Sequence, residues 1–129
     1  MQNTEGTSFA LNESYDRHQI SLMVVENSMG ALGKVEEDNS IHDTYRIDYL
    51  KSHIRAMREA VDGGADLKGY TWWGPIGLVS AGTGEMRKRY GFIYVDKHDD
   101  RSGTYKRSRK DSFYPYQKII KSNGTEDLD

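Results

Sequence analysis

Cysteine is absent from this 129-residue sequence, which excludes disulfides and thiolate metal sites and suits a reducing compartment. Long apolar runs are missing too, and none approaches the ~20 residues a bilayer span needs. Residues 1–6 are polar and lack the basic-then-apolar order of a secretory signal. A soluble cytoplasmic protein without a membrane partner is therefore expected. Neither sign of charge dominates: 18 Lys and Arg stand against 20 Asp and Glu, for a net charge of -2. That balance gives no general attraction to nucleic acid. The histidines His18, His42, His53 and His98 are scattered, and none has a second ligand at metal spacing. Neither a metal nor a cofactor is expected.

Apolar residues are scarce as well, at 36% of the chain, and the mean hydropathy is -0.82. This is little for a self-sufficient core and implies one domain at most, or a piece of a larger one. The aromatic share of 11% nevertheless argues against disorder, because disordered chains lack the large rings that reward folding. Something here packs.

Thr7 to His18 reads as a short helix, with Thr7 as N-cap and Leu11 and Tyr15 one turn apart. Ile20 to Val25 is an apolar run rich in β-branched residues, as in strands buried on both faces. Glu26 follows it directly, and a charged residue at the end of a buried strand is unusual. After a polar loop over 33–40, with Ser40 and Asp43 as candidate caps, Ile47, Leu50, Ile54, Met57 and Val61 recur at helical spacing. Gly63 and Gly64 end that helix, and Asp66 to Trp73 reads as a second strand, broken by Gly74 and Pro75. Strand, helix, strand is a βαβ unit with a parallel sheet.

Beyond it, 90–96 and 104–110 resemble the two arms of a hairpin. A last helix runs over 113–121, with Phe113, Tyr116 and Ile120 on one face. Pro115 is tolerated there because it sits in the first turn. Residues 1–6 and 125–129 are expected to be loose tails on a single partial domain. Two parallel strands make no stable sheet alone and expect cover on both faces. The sequence reads as a fragment.

Four segments then fall into a familiar order. Val24-Val-Glu-Asn27 resembles the strand-seven motif of glycoside hydrolase family 1, and the segment 43–54 is similar to the helix that follows it. Residues 69–80 (Gly-Tyr-Thr-Trp-Trp-Gly-Pro-Ile-Gly-Leu-Val-Ser) resemble the eighth strand and its active-site loop. Residues 84–96 are similar to the stretch that marks the 6-phospho-β-glucosidase branch. The likeness runs from about Phe9 to Gly124. It implies an α/β fold: the C-terminal quarter of a (β/α)8 barrel, with the last two βα units, a preceding helix and a β-hairpin. The Asn-Glu-Pro motif carrying the family's acid/base is not in the sequence.

The resemblance also implies roles. Retaining glycosidases use two carboxyl groups, one attacking the anomeric carbon and one protonating the leaving oxygen. Glu26 matches the nucleophile, Trp73 the tryptophan lining the sugar subsite, and Lys88 and Tyr90 the residues that hold the 6-phosphate. An ammonium and a phenol suit an anion, as point charge and directional donor. The family's second serine of Ser-Ala-Ser-Thr-Gly-Glu-Met is here Gly82, leaving Ser80 as a substitute if the loop shifts. Ser28 replaces a glycine and Gly77 an aspartate. Ser28 would be strained if that position has positive φ.

The expected function is thus the C-terminal portion of a retaining 6-phospho-β-glucosidase. Its substrate in the parent is a 6-phospho-β-glucoside, and the isolated chain is expected to be inactive. The alternative is a non-catalytic module that binds sugar phosphate, self-associates or joins a complementary barrel fragment. A third reading, single-stranded nucleic acid held by Arg87–Arg89 and Lys106–Lys110 with interleaved aromatics, fits the net acidic charge poorly.

Overall fold

The computed structural model describes residues 5–126. The chain order is helix α1 (Glu5–His18), strand β1 (Leu22–Asn27), helix α2 (Thr44–Asp62), strand β2 (Leu67–Trp72), strands β3 (Ile93–Val95) and β4 (Arg107–Arg109), and helix α3 (Phe113–Lys121). β1 and β2 pair in parallel across α2, and β3 and β4 pair antiparallel. The βαβ unit and the hairpin are where the sequence puts them.

α2 forms because apolar side chains return every three or four residues, and its stripe is the spine of the core. Leu50, Ile54 and Met57 meet Trp72 of β2, Phe92 and Ile119 of α3. Fully burying a leucine such as Leu50 is worth about 1.5–3 kcal/mol. Aromatic rings close the cluster. Trp72 lies 4.7 Å from Phe92, which stacks on Tyr116 at 4.2 Å. Gly64 ends α2 in the left-handed region at φ 104°, where a side chain would be strained.

Several expectations shift. α1 already includes Glu5, so Thr7 lies inside the helix rather than capping it. The tails fall mostly outside the described residues, while Thr125 and Glu126 bond back to Ser122. β1 is displaced two residues along the chain and takes in Glu26 and Asn27, because its pairing with β2 runs as far as Asn27 and Trp72. The buried face of α2 is rotated, with Arg46, Ala56 and Ala60 inside and Val61 47% exposed. On α3 it is Ile119 that packs inward, while Ile120 faces solvent.

The sheet has one covered face. Leu22 and Val24 are partly covered, Val24 against the core that α2 and β2 share, whereas Met23 and Val25 are 53% and 73% exposed. β1 is therefore not buried on both faces as its composition suggests. A strand with that composition and one bare face lacks the second layer parallel sheets normally have.

Candidate active site

Parallel pairing brings the C-terminal ends of β1 and β2 side by side. Asn27 stands opposite Trp72, and the Trp73 N–H donates to the Asn27 carbonyl at 3.0 Å. The period of two separates the adjacent tryptophans. Trp72 packs into the core at 7% exposure, and Trp73 emerges at 44%.

Glu26 reaches its position through an irregularity. Strict alternation from Val24 would turn Glu26 inward, but the ladder slips between Val24 and Asn27. Val25 and Glu26 are both exposed, and Asn27 is half-buried, accepting a hydrogen bond from the Tyr70 hydroxyl at 2.9 Å. Strand irregularities of this kind re-aim side chains, often beside active sites. Burial pushes the Tyr70 phenol upward, which keeps it a donor to Asn27. No hydrogen bond or ion pair reaches the Glu26 carboxylate among the described residues. It stands open at the strand end.

The segment after β1 is stitched to the second group of candidates. Ala31 N–H donates to the Lys88 carbonyl at 2.8 Å. The Tyr90 ring lies so close over Gly30 that a Cβ there would come within 2.5 Å of it. Lys88 is one-third exposed, and its ammonium stands 3.6 Å from Glu85. Glu26 and Trp73 are thus joined through the sheet, and Lys88 and Tyr90 through residues 30–31. Ser80 differs: it is 4% exposed, and its backbone closes the turn to Gly84 and Glu85.

Behind the 88–91 loop lies a buried ionic network that the sequence reading missed. Asp43 and Arg46 are fully buried, and their ion pair is 2.9 Å long. Asp43 stands at the N-cap of α2, yet it caps nothing with its side chain. Its carboxylate instead accepts from the Ser112 N–H at 2.9 Å and the Ser112 hydroxyl at 2.6 Å. Arg46 also donates to the Met29 and Arg89 carbonyls. Lys110, 1% exposed, donates to the carbonyls of Arg89, Tyr90 and Gly91. Burial, with Arg46 and then Arg89 adding repulsion that Asp43 partly offsets, pulls the Lys110 pKa down to about 7. The signal was present in the spacing: Arg46 is one turn before Leu50 on the apolar stripe, where a cation is out of place.

The same burial takes two residues out of the basic runs considered for nucleic acid. Arg89 and Lys110 point inward, and Arg87 pairs with Glu85 and Asp99. Lys106, Arg107 and Arg109 stay exposed on and beside β4.

The departures noted in the sequence have distinct local outcomes. Ser28 is not among the positive-φ residues, so the anticipated strain is absent. Its hydroxyl is instead buried without a hydrogen-bond partner. Ser28→Ala is therefore expected to raise stability by about 1 kcal/mol, read as a higher urea midpoint. At Gly82 a Cβ would meet nothing within 4 Å, and the backbone there is not left-handed. At Gly77 a Cβ would sit 3.3 Å from the Ile93 carbonyl, tight for an aspartate.

A second cluster has the connectivity of a hydrolytic triad. Ser40 Oγ lies 3.2 Å from His42 Nε2, and His42 Nδ1 lies 2.6 Å from Asp111. The hydrogen bond to Asp111 raises the His42 pKa. His42 and Asp111 are 61% and 49% exposed, however, so nothing excludes water or holds a substrate. The pair fastens the segment before α2 to the turn before α3. Among the described residues no group of three or more metal-type ligands converges, and no helix is long and apolar enough to cross a membrane.

The family model described as Glycosyl hydrolase family 1 matches residues 2–125. An aryl-phospho-β-D-glucosidase of Bacillus subtilis is 54% identical over 120 residues, covering 93% of this chain and 26% of that protein. A phospho-cellobiase of Klebsiella oxytoca is 56% identical over 119 residues, 92% of this chain and 26% of that one. Among solved structures, a family 1 β-glucosidase from Thermotoga maritima superposes with a TM-score of 0.84 at 36% identity, covering 96% of this chain and 27% of that one. The chain spans about a quarter of the length of the curated relatives it matches.

Proposed function

The chain belongs to glycosyl hydrolase family 1, and on that footing we propose that it is the C-terminal portion of a retaining 6-phospho-β-glucosidase. Its place in the barrel would be the last two βα units, with β1 and β2 as strands seven and eight. The observation that carries the reading is the convergence at one end of the parallel pair. Glu26 stands free at the end of β1, Trp73 emerges beside it, and residues 30–31 contact Tyr90 and Lys88. Barrel enzymes keep their chemistry at that end of their strands.

In this reading Glu26 attacks the anomeric carbon, forming a glycosyl-enzyme, and an open carboxylate is what a nucleophile requires. Trp73 offers its face to the C–H surface of the sugar. Lys88 and Tyr90 bind the 6-phosphate, as charge and as directional donor, and Ser80 supports the turn leading to them. The relatives' names specify phosphorylated glucosides, which supports that substrate class. The 129 residues hold no Asn-Glu-Pro segment, so the acid/base carboxyl is not supplied by this chain. A charged sugar phosphate does not cross a bilayer unaided, which supports a cytoplasmic site for the reaction.

Glucose 6-phosphate titrated into ¹⁵N-labelled chain tests the binding half. Shifts are expected at the Trp73 indole and at the Lys88 and Tyr90 amides, and none with glucose. Equal responses to both sugars, or none to either, would sink the phosphate assignment. Gly82→Ser, which has open space to enter, is expected to tighten the phosphorylated sugar about tenfold through one hydroxyl-to-phosphate bond.

The bare face of the sheet, with Met23, Val25 and Trp73 exposed, favours a second reading, in which the chain associates with copies of itself or with a complementary barrel segment. Light scattering is expected to give at least a dimer at tens of micromolar. A monomer at every concentration tested would count against self-association.

A further inference from the structure

Arg89 lies between the two phosphate candidates and adopts φ 48°, a left-handed conformation that costs a side-chain-bearing residue energy. Its carbonyl is gripped twice, by Arg46 from α2 and by Lys110 from the turn before α3, both bonds 2.6 Å long. Lys110 continues to the carbonyls of Tyr90 and Gly91, so an ammonium with three protons meets three acceptors. Arg46 also holds the Met29 carbonyl, next to Gly30, over which Tyr90 lies. Two cations therefore fix the backbone from which Lys88 and Tyr90 project, and fix it against the loop that follows Glu26.

We propose that Lys110, backed by Arg46, is a positioning residue for sugar-phosphate recognition: it holds the strained 88–91 turn in the geometry that presents Lys88 and Tyr90 to the anion. The inference rests on the phosphate-binding reading of those two residues. Lys110 never touches the ligand itself, since it is buried and its three donors are engaged by carbonyls. A dedicated clamp is consistent with the loop's chemistry. Ligand groups held by rigid supports lose less ordering freedom on binding than groups on a mobile loop.

The test compares the chain with its Lys110→Met and Lys110→Arg variants by amide hydrogen exchange and by glucose 6-phosphate titration. In Lys110→Met, the Ala31 amide, bonded to the Lys88 carbonyl, is expected to exchange about tenfold faster, the loss of a buried charged hydrogen bond. The sheet amides of Leu22 and Trp73 should keep their rates. Glucose 6-phosphate affinity should fall by about the same factor, with Lys110→Arg recovering part of both effects. Uniform acceleration of all amides, an unchanged Ala31 rate, or loss of folding in both variants would mark Lys110 as merely structural and overturn the proposal. If Ala31 responds as expected but the unaltered chain binds no glucose 6-phosphate, the positioning role stands and the phosphate reading fails.

Discussion

Replacing Arg46 by methionine is expected to lower the stability of the chain by about 3–5 kcal/mol, the cost of breaking a buried ion pair from one side. Methionine fills much of the same volume, so little of the loss is cavity. What remains is an Asp43 carboxylate at zero exposure with its charge partner gone, and Met29 and Arg89 carbonyls without their guanidinium donor. Domains of this size hold only about 5–15 kcal/mol in reserve, and this one has a bare sheet face, so partial unfolding at room temperature is the expected result. Far-UV circular dichroism and urea melts read it. Pairing the change with Asp43→Asn removes the uncompensated charge while keeping an acceptor for Ser112, and should recover at least about 1 kcal/mol. A loss below about 1 kcal/mol in the single variant would show that the network is not a structural element.

Hydrolysis of an aryl 6-phospho-β-glucoside by the isolated chain is expected to be no faster than by its Glu26→Gln variant. Departure of the phenoxide without protonation forfeits much of the ~10²–10⁴-fold that a positioned acid contributes. In the proposed reading the sugar also has only one wall of its site in this chain, so the reacting atoms are not held in line. Supplying the complementary barrel segment should restore turnover, and that turnover should vanish with Glu26→Gln. Robust activity of the chain alone, lost on the same substitution, would refute the claim that its site is incomplete. Activity that survives Glu26→Gln in the reassembled protein would refute the nucleophile assignment.

The regular elements were legible because their signals are local. α2 shows its period over about four turns, α3 runs from Phe113 to Lys121 as its sequence suggests, and Gly64 marks a backbone need no other residue meets cheaply. β1 was misplaced by two residues since its limits depend on β2, some forty residues away. Its slip at Val24–Asn27, which turns Glu26 outward, leaves no trace in the apolar pattern. On α3, Phe113 and Tyr116 pack on the core as their spacing suggests, but Ile119 rather than Ile120 completes that face: the two isoleucines are equivalent by composition, and only the position of Trp72 and Phe92 decides between them. The candidate-site motifs come from a resemblance, whereas the buried network beneath them has no such motif. Asp43 and Lys110 read as surface charges by composition, and only the place of Arg46 on the apolar stripe of α2 hints at burial. Only the fold shows that they meet in the interior, with Ser112 and the carbonyls of a strained turn as partners.

α1 fully buries none of its fourteen residues. It rests on α2 mainly through partly covered groups such as Leu11, while Phe9 is 66% exposed, and it ends at a left-handed Gln19. A helix attached so lightly can detach while the core around Leu50 and Trp72 stays intact, because its opening exposes little apolar surface. Among the described residues, α1 is therefore expected to be the least stable cooperative unit. Proteolysis in the native state should begin near Arg17 and remove this segment before the rest of the molecule is attacked.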